Sequence, residues 1–180
     1  LLRSFGVAQY VTTAMDPVAT ATFGRRDVFG EIDQTEWSMT TRASLMINPR
    51  MSLQVFAQPL LSVGRYGSFK QAAAPRTFTF LRYGVDLGTV GFDPVSRTYH
   101  VNPAGSDGGT PFSFGDPDFN FKSLRVNAVF RWEFKPGSTV YLVWTQQRED
   151  YARPGQFAFG SDLSSLVHAP ADNVVMAKVS

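Results

Sequence analysis

Few residues in this chain have both the type and the spacing that chemistry needs. His100 and His168 are the only histidines and lie far apart in irregular stretches, so neither has a neighbour with which to bind a metal or relay a proton. Both read as surface histidines. Asp107, Asp116 and Asp118 sit in SDGGTPFSFGDPD, where carboxylates on a Gly-rich loop are able to ligate Ca²⁺. Their spacing is not that of an EF-hand loop, and solvated turn aspartates are the plainer reading. Glu149 and Asp150 form a carboxylate pair by composition, but adjacent strand residues point to opposite faces, which leaves them as rim charges. Ser4 and Ser44 have no histidine within reach. Arg25, Arg26 and Arg65 suit anionic lipid head groups near a membrane rim or, more plainly, water. Cysteine is absent, which removes thiolate sites and disulfides together. The expectation is a chain with no catalytic residue, no metal site and no cofactor.

What positions the remaining polar residues is strand periodicity. In Ser123–Lys135, Leu124, Val126, Ala128, Phe130, Trp132 and Phe134 take one phase, while Arg125, Asn127, Arg131 and Glu133 take the other. A period of two over a dozen residues means a strand with one apolar and one polar face, long enough for the ~9–11 residues that cross a bilayer at a tilt. Two further runs repeat the pattern: Trp37, Met39, Ala43, Leu45 and Ile47 alternate with Arg42 and Ser44, then Leu53, Val55, Ala57 and Leu61 alternate with Gln54 and Gln58. A three-residue turn at Asn48-Pro49-Arg50 pairs Ile47 with Met51, Leu45 with Leu53 and Ala43 with Val55. A second turn at Lys135-Pro136-Gly137, with Gly137 left-handed, pairs Trp132 with Val140 and Phe130 with Leu142, although Pro136 sits poorly at the second central position of a type I turn.

Ser4 to Ala14 and Ala19 to Phe29 read as weaker strands around a turn at Asp16-Pro17, with a short connection at Ile32 to Thr35. With the run Asn173–Ser180 this makes a meander of about seven long strands. Gly64 to Asp118 reads as a long irregular loop with at most a helical turn or two around Ser68 to Ala74, and Asp150 to Ala171 as a second irregular connection. Short turns at Asp16-Pro17, Asn48-Pro49 and Pro136-Gly137 then share one rim and long loops the other, the asymmetry of outer-membrane barrels. Trp132 and Phe134 near one rim and Trp37 near the other suit interfacial girdles; Trp144, nearer mid-strand, does not.

Composition agrees without deciding. The chain of 180 residues is 43% hydrophobic and 18% charged, with a formal charge of +2. No apolar run approaches a spanning helix, and no basic stripe suggests nucleic acid. Alternation serves a soluble sandwich or a membrane barrel equally well, since only the identity of the solvent on the apolar side differs. Strand length and rim asymmetry favour the barrel. Leu1 is no initiator and the last residues read as strand, so both ends look cut.

The strings SFGVAQYVTTAMDPVATATFGRR, SLQVFAQPLLSVGRYGSFKQAAAPRTFTF and DFNFKSLRVNAVFRWEFKPGSTVYLVWTQQR resemble, in order and over nearly the whole chain, the C-terminal region of domain-of-unknown-function family 5916. The resemblance implies a bacterial envelope protein with a carbohydrate-binding, family-9-like domain at its N-terminus and a long outer-membrane barrel behind it. It implies that these residues are the last part of that barrel, and it carries no catalytic residues. The expectation is therefore an all-β, incomplete, non-enzymatic segment of an outer-membrane barrel. Arg42, Gln54, Gln58, Arg125, Asn127, Arg131 and Glu133 would face the lumen; Leu45, Leu53, Val55, Leu124, Val126, Ala128, Phe130 and Trp132 would face lipid. Its partners would be outer-membrane lipid, the rest of the barrel and the N-terminal domain, with a role in uptake or binding of a carbohydrate-related ligand. The alternatives are a soluble β-sandwich that binds saccharide, and part of a carbohydrate-active envelope enzyme.

Overall fold

In a computed structural model, which describes residues 1–103 and 110–180, the chain is all-β and antiparallel. Asp107 lies outside the described residues. The strands are β1 (Leu2–Met15), β2 (Arg25–Ser38), β3 (Thr41–Asn48), β4 (Met51–Ala72), β5 (Phe80–Arg82), β6 (Thr89–Asp93), β7 (Thr98–Asn102), β8 (Phe112–Gly115), β9 (Phe119–Lys135), β10 (Ser138–Asp150) and β11 (Ala171–Val179). One helix, α1 (Phe159–His168), precedes β11. The main sheet runs β1-β2-β4-β9-β10-β11, with β3 and β5 also on β4; β6-β7-β8 form a separate sheet. The order is open at β1 and β11.

The chain divides into two compact units: Leu1–Arg3, Thr35–Val63 and Phe119–Ser180 form one, Ser4–Gln34 and Gly64–Asp118 the other. In the first unit the expected registers hold away from the turns. Ala43 faces Val55 and Leu45 faces Leu53, while Trp132 faces Val140 and Phe130 faces Leu142. The turns themselves are tighter than the sequence suggests. Asn48 pairs directly with Met51, leaving only Pro49 and Arg50 as turn residues and a bulge at Ile47; the Asn48 side chain accepts from the Arg50 N–H at 2.9 Å, an Asx turn that closes the loop early. Likewise Lys135 pairs with Ser138. Pro136 and Gly137 are then the two central residues, and Gly137 has φ +80°, as in a type II turn. Proline is favoured at the first central position of that turn, which removes the awkwardness of a type I geometry.

Three elements differ from the sequence reading. Ile32 to Thr35 is no connection, because β2 runs through it to Ser38. The interruption comes at Met39-Thr40, where the Met39 N–H donates to the Pro59 carbonyl at 3.2 Å and Pro59, lacking an N–H, returns nothing. β2 and β3 are thus one interrupted run beside β4. The strand expected from Ala19 begins only at Arg25, since Thr20–Thr22 is a 3₁₀ turn. Finally, the turn at Asp16 connects ends opposite to the tight turns: in an antiparallel meander Pro49-Arg50 and Pro136-Gly137 belong to one end, and the connections after β1, β4 and β10 to the other.

The second unit replaces the expected irregular loop. β4 extends to Ala72, so residues 68–72 are strand rather than helix, and Phe69 and Gln71 are buried there. Val28, Phe69, Tyr83, Val101 and Phe114 make its core, with edge-on aromatic contacts of Phe69 to Tyr99 (4.6 Å) and Phe114 (5.0 Å). The inner face of β6-β7-β8 (Val90, Tyr99, Val101, Phe112, Phe114) packs there. Gly88, at φ +50°, admits no side chain, because a Cβ would stand 1.9 Å from the Asn102 carbonyl oxygen. The connection 151–170 is also partly ordered, by α1.

Candidate functional site

The polar phase of the first unit forms one surface. Arg42, Ser44 and Gln54 line a depression of about 180 Å³ with Phe56, Asn127 and Val129, and Gln58 joins Glu36, Ser123 and Arg125 around another of about 300 Å³. The ladders extend it across β10 and β11: Arg125 faces Gln147 and then Asp172, Asn127 faces Thr145, and Arg131 faces Tyr141 and then Lys178. Its groups pair laterally. Asn127 donates to Thr145 Oγ1 at 3.0 Å, Arg131 and Glu133 approach to 3.6 Å, and Arg42 lies 5.5 Å from the Phe56 ring centroid. The opposite phase aligns Ala128 with Trp144 and Val175, Phe130 with Leu142 and Ala177, and Trp132 with Val140 and Val179. Leu45, Leu53 and Val55 sit on one phase of the β3-β4 hairpin, and Leu124 and Val126 continue the apolar phase of β9.

Two ionic clusters escaped the sequence reading. In the first unit Lys122, fully buried, donates to Asp150 Oδ2 at 2.7 Å and to the Ala152 carbonyl at 3.2 Å. Buried Asp162 of α1 accepts from Arg153 at 2.8 Å, from the Ala158 N–H at 2.7 Å and from Asn120 at 3.2 Å. A helix this short is held by its contacts more than by propensity, and Asp162 supplies them. Glu149 and Asp150 do diverge, facing Ser123 and Lys122 respectively, and Asp150 is half of a part-buried ion pair with Lys122 rather than a free rim charge. Trp37 lies inside the β2-β3 run, edge-on to Phe159 at 5.0 Å.

In the second unit Arg26 is 4% exposed and anything but a solvated loop arginine. Its Nε donates to Asp16 at 2.6 Å and its Nη1 to Gln71 Oε1 at 2.8 Å; Tyr83 Oη donates to the same Gln71 oxygen at 2.7 Å. Asp16, fully buried, also accepts from Val18 N–H and from the N–H and hydroxyl of Thr110. Burial works to raise the Asp16 pKa, but these bonds, led by Arg26, outweigh it and hold the carboxyl below its ordinary value. Burial pushes the Tyr83 phenol well up. Asp116 pairs with Arg97 at 2.5 Å, and Asp118 accepts from the Tyr66 N–H at 2.6 Å, so neither is a solvated turn aspartate. Burial, helped by Asp116, raises the Asp118 pKa. His100 lies exposed on β7 and His168 exposed at the end of α1, where Nδ1 meets the Ser164 carbonyl at 2.8 Å. Arg65 is exposed. Among the described residues no three His, Asp or Glu side chains gather as a metal site would require.

Compared with known families, residues 92–180 match the model of a domain of unknown function, DUF5916. No curated protein and no solved structure matches the chain.

The matched segment contains the Lys122 cluster, the β9-β10-β11 ladders and α1. One signal for the cluster is present in the sequence. Asn120 and Lys122 continue the apolar phase of β9 beyond Leu124, and polar groups in an apolar phase require buried partners. For Arg26 the corresponding signal is its place in the alternation Arg26, Val28, Gly30, every one buried.

Proposed function

We propose that this chain is a non-enzymatic segment of an outer-membrane β-barrel whose apolar strand phase meets lipid and whose polar phase lines the lumen. One observation carries the reading: among the described residues, apolar side chains in the turn-proximal half of the first unit stand exposed. Leu45 is 59% exposed, Trp132 45%, Leu142 44% and Val175 65%. A soluble sandwich covers that face with a facing sheet about 10 Å away, whereas a barrel leaves it to hydrocarbon. β9 has 17 residues, more than the ~9–11 that cross a bilayer, and the surplus is its polar Lys122 end. The Gln146 row of the apolar phase satisfies itself, with Trp144 Nε1 and Gln146 Nε2 both donating to Asn173 Oδ1 at 3.0 Å. No helix among the described residues is long and apolar enough to cross a membrane.

The polar surface, with Arg42, Arg125 and Arg131 beside Glu133, Gln54, Gln58 and Asn127, would set what passes or binds inside. Remaining barrel strands would pair with β1 and β11. The test is brominated-lipid quenching in the full-length protein reconstituted in vesicles: Trp132 as sole tryptophan should be quenched, and the protein should fractionate with outer membranes and migrate faster unheated than heated. Unquenched Trp132 in a soluble, detergent-free protein would make the chain a soluble binding module instead.

A further inference from the structure

The second unit holds a cavity of about 350 Å³ lined by Val18 to Thr22, Arg26, Gln71, Ala73, Leu81 and Leu87. Its volume falls in the range of small-ligand sites, ~300–1,000 Å³. Two of its wall groups, Arg26 and Gln71, are buried polar side chains fixed by the network described above. Gln71 Oε1 is already occupied by Arg26 and Tyr83, so the amide NH₂ is the end of that side chain left to present. A guanidinium has five N–H donors, and Asp16 and Gln71 each take one through a different nitrogen. The wall is therefore rich in donors.

Its charge is balanced, because Arg26 has a fully buried counterion at 2.6 Å. A second anion would leave an uncompensated negative charge in a partly desolvated site, which is costly, and a cation would stand against the Arg26 guanidinium in the wall. What suits neutral donors over an apolar rim (Val18, Ala21, Leu81, Leu87) is an uncharged molecule carrying several oxygen acceptors. We propose that this cavity binds a small neutral polyol or sugar unit, with Arg26 and Gln71 donating to its oxygens. The site is independent of the barrel reading, since it lies wholly in the connections and strand ends of the second unit.

The test is a side-chain NMR titration of the full chain in detergent micelles, following Arg26 Nε–H and the Gln71 amide. The probes are glycerol and D-glucose, with sodium acetate at matched ionic strength as the anion. Saturable shifts of both groups with either neutral probe are expected, and acetate should leave them unmoved. Ala73→Phe, which fills the cavity without touching the network, should weaken the neutral probe at least tenfold while Tyr83 and Thr110 signals stay in place. No shift with either neutral probe, a preference for acetate, or binding that survives Ala73→Phe would each overturn the proposal and leave the network as a structural latch.

Discussion

At the scale of single residues, the chain concentrates its charges where they have partners and leaves few for chemistry. Asp16 shows what such a partner is worth. It takes donors from Arg26, Val18 and Thr110, the last 94 positions away in sequence, and so ties the first connection to the start of β8. Asp16→Asn would leave the Arg26 guanidinium buried without its counterion, and breaking such a pair costs about 3–5 kcal/mol. Denaturant unfolding should show that loss, and amide exchange should rise first at Thr110 and Gly24. The pH dependence has a definite sign. Because the folded Asp16 pKa lies below the ordinary 3.8, its contribution is complete above that value and is lost as pH falls through the folded pKa. Wild type should therefore lose stability below about pH 4 by a component that Asp16→Asn lacks.

At the scale of elements, turn chemistry and long-range anchoring divide the work. Gly137 holds φ +80° in an open position where an added Cβ meets nothing within 4 Å, so Gly137→Ala tests conformation alone. It should cost about 1–2 kcal/mol, while Pro136→Ala costs less; thermal unfolding of the reconstituted protein reads both. For α1 the anchor is Asp162. Asp162→Ala should release the helix, giving protease cleavage within 151–170 while β9 and β10 amides stay protected; unchanged cleavage would mean that Phe159 against Trp37 suffices. This division also explains what the sequence made legible. The strands and the registers of Phe130 with Leu142 and Leu45 with Leu53 follow from a local period of two. The continuity of β2 through Ile32–Thr35 did not, because its break is set by Pro59 on the neighbouring strand. Nor did the second unit, whose core joins Val28 to Val101 and Phe114 through pairings no window of sequence contains.

At the scale of the whole molecule, the question is which solvent lies against the apolar phase. The uncovered face around Trp132, Leu142 and Val175 is unfavourable in water: each large side chain left exposed forgoes roughly 1.5–3 kcal/mol of burial, and contiguous apolar patches of this kind are rare on soluble monomers. Lipid removes that penalty without a second protein layer. The two phases of β9 then respond to charge in opposite ways. Phe130, which faces Leu142 and Ala177, would place an arginine in hydrocarbon, whereas Asn127, whose amide bonds Thr145, would place it among the polar side chains of the other face. In vesicle refolding, Phe130→Arg should destabilise by about 2–4 kcal/mol and Asn127→Arg by much less. The difference should shrink for Phe134→Arg, which lies next to the tight turn and can reach the interface. A soluble protein with a facing layer would also reject Phe130→Arg, so the decisive contrast is this decay toward the turn together with its dependence on bilayer thickness: thinner bilayers should relieve Trp132→Arg before Phe130→Arg. Equal penalties at Phe130 and Phe134 in every bilayer would assign the apolar face to protein rather than lipid.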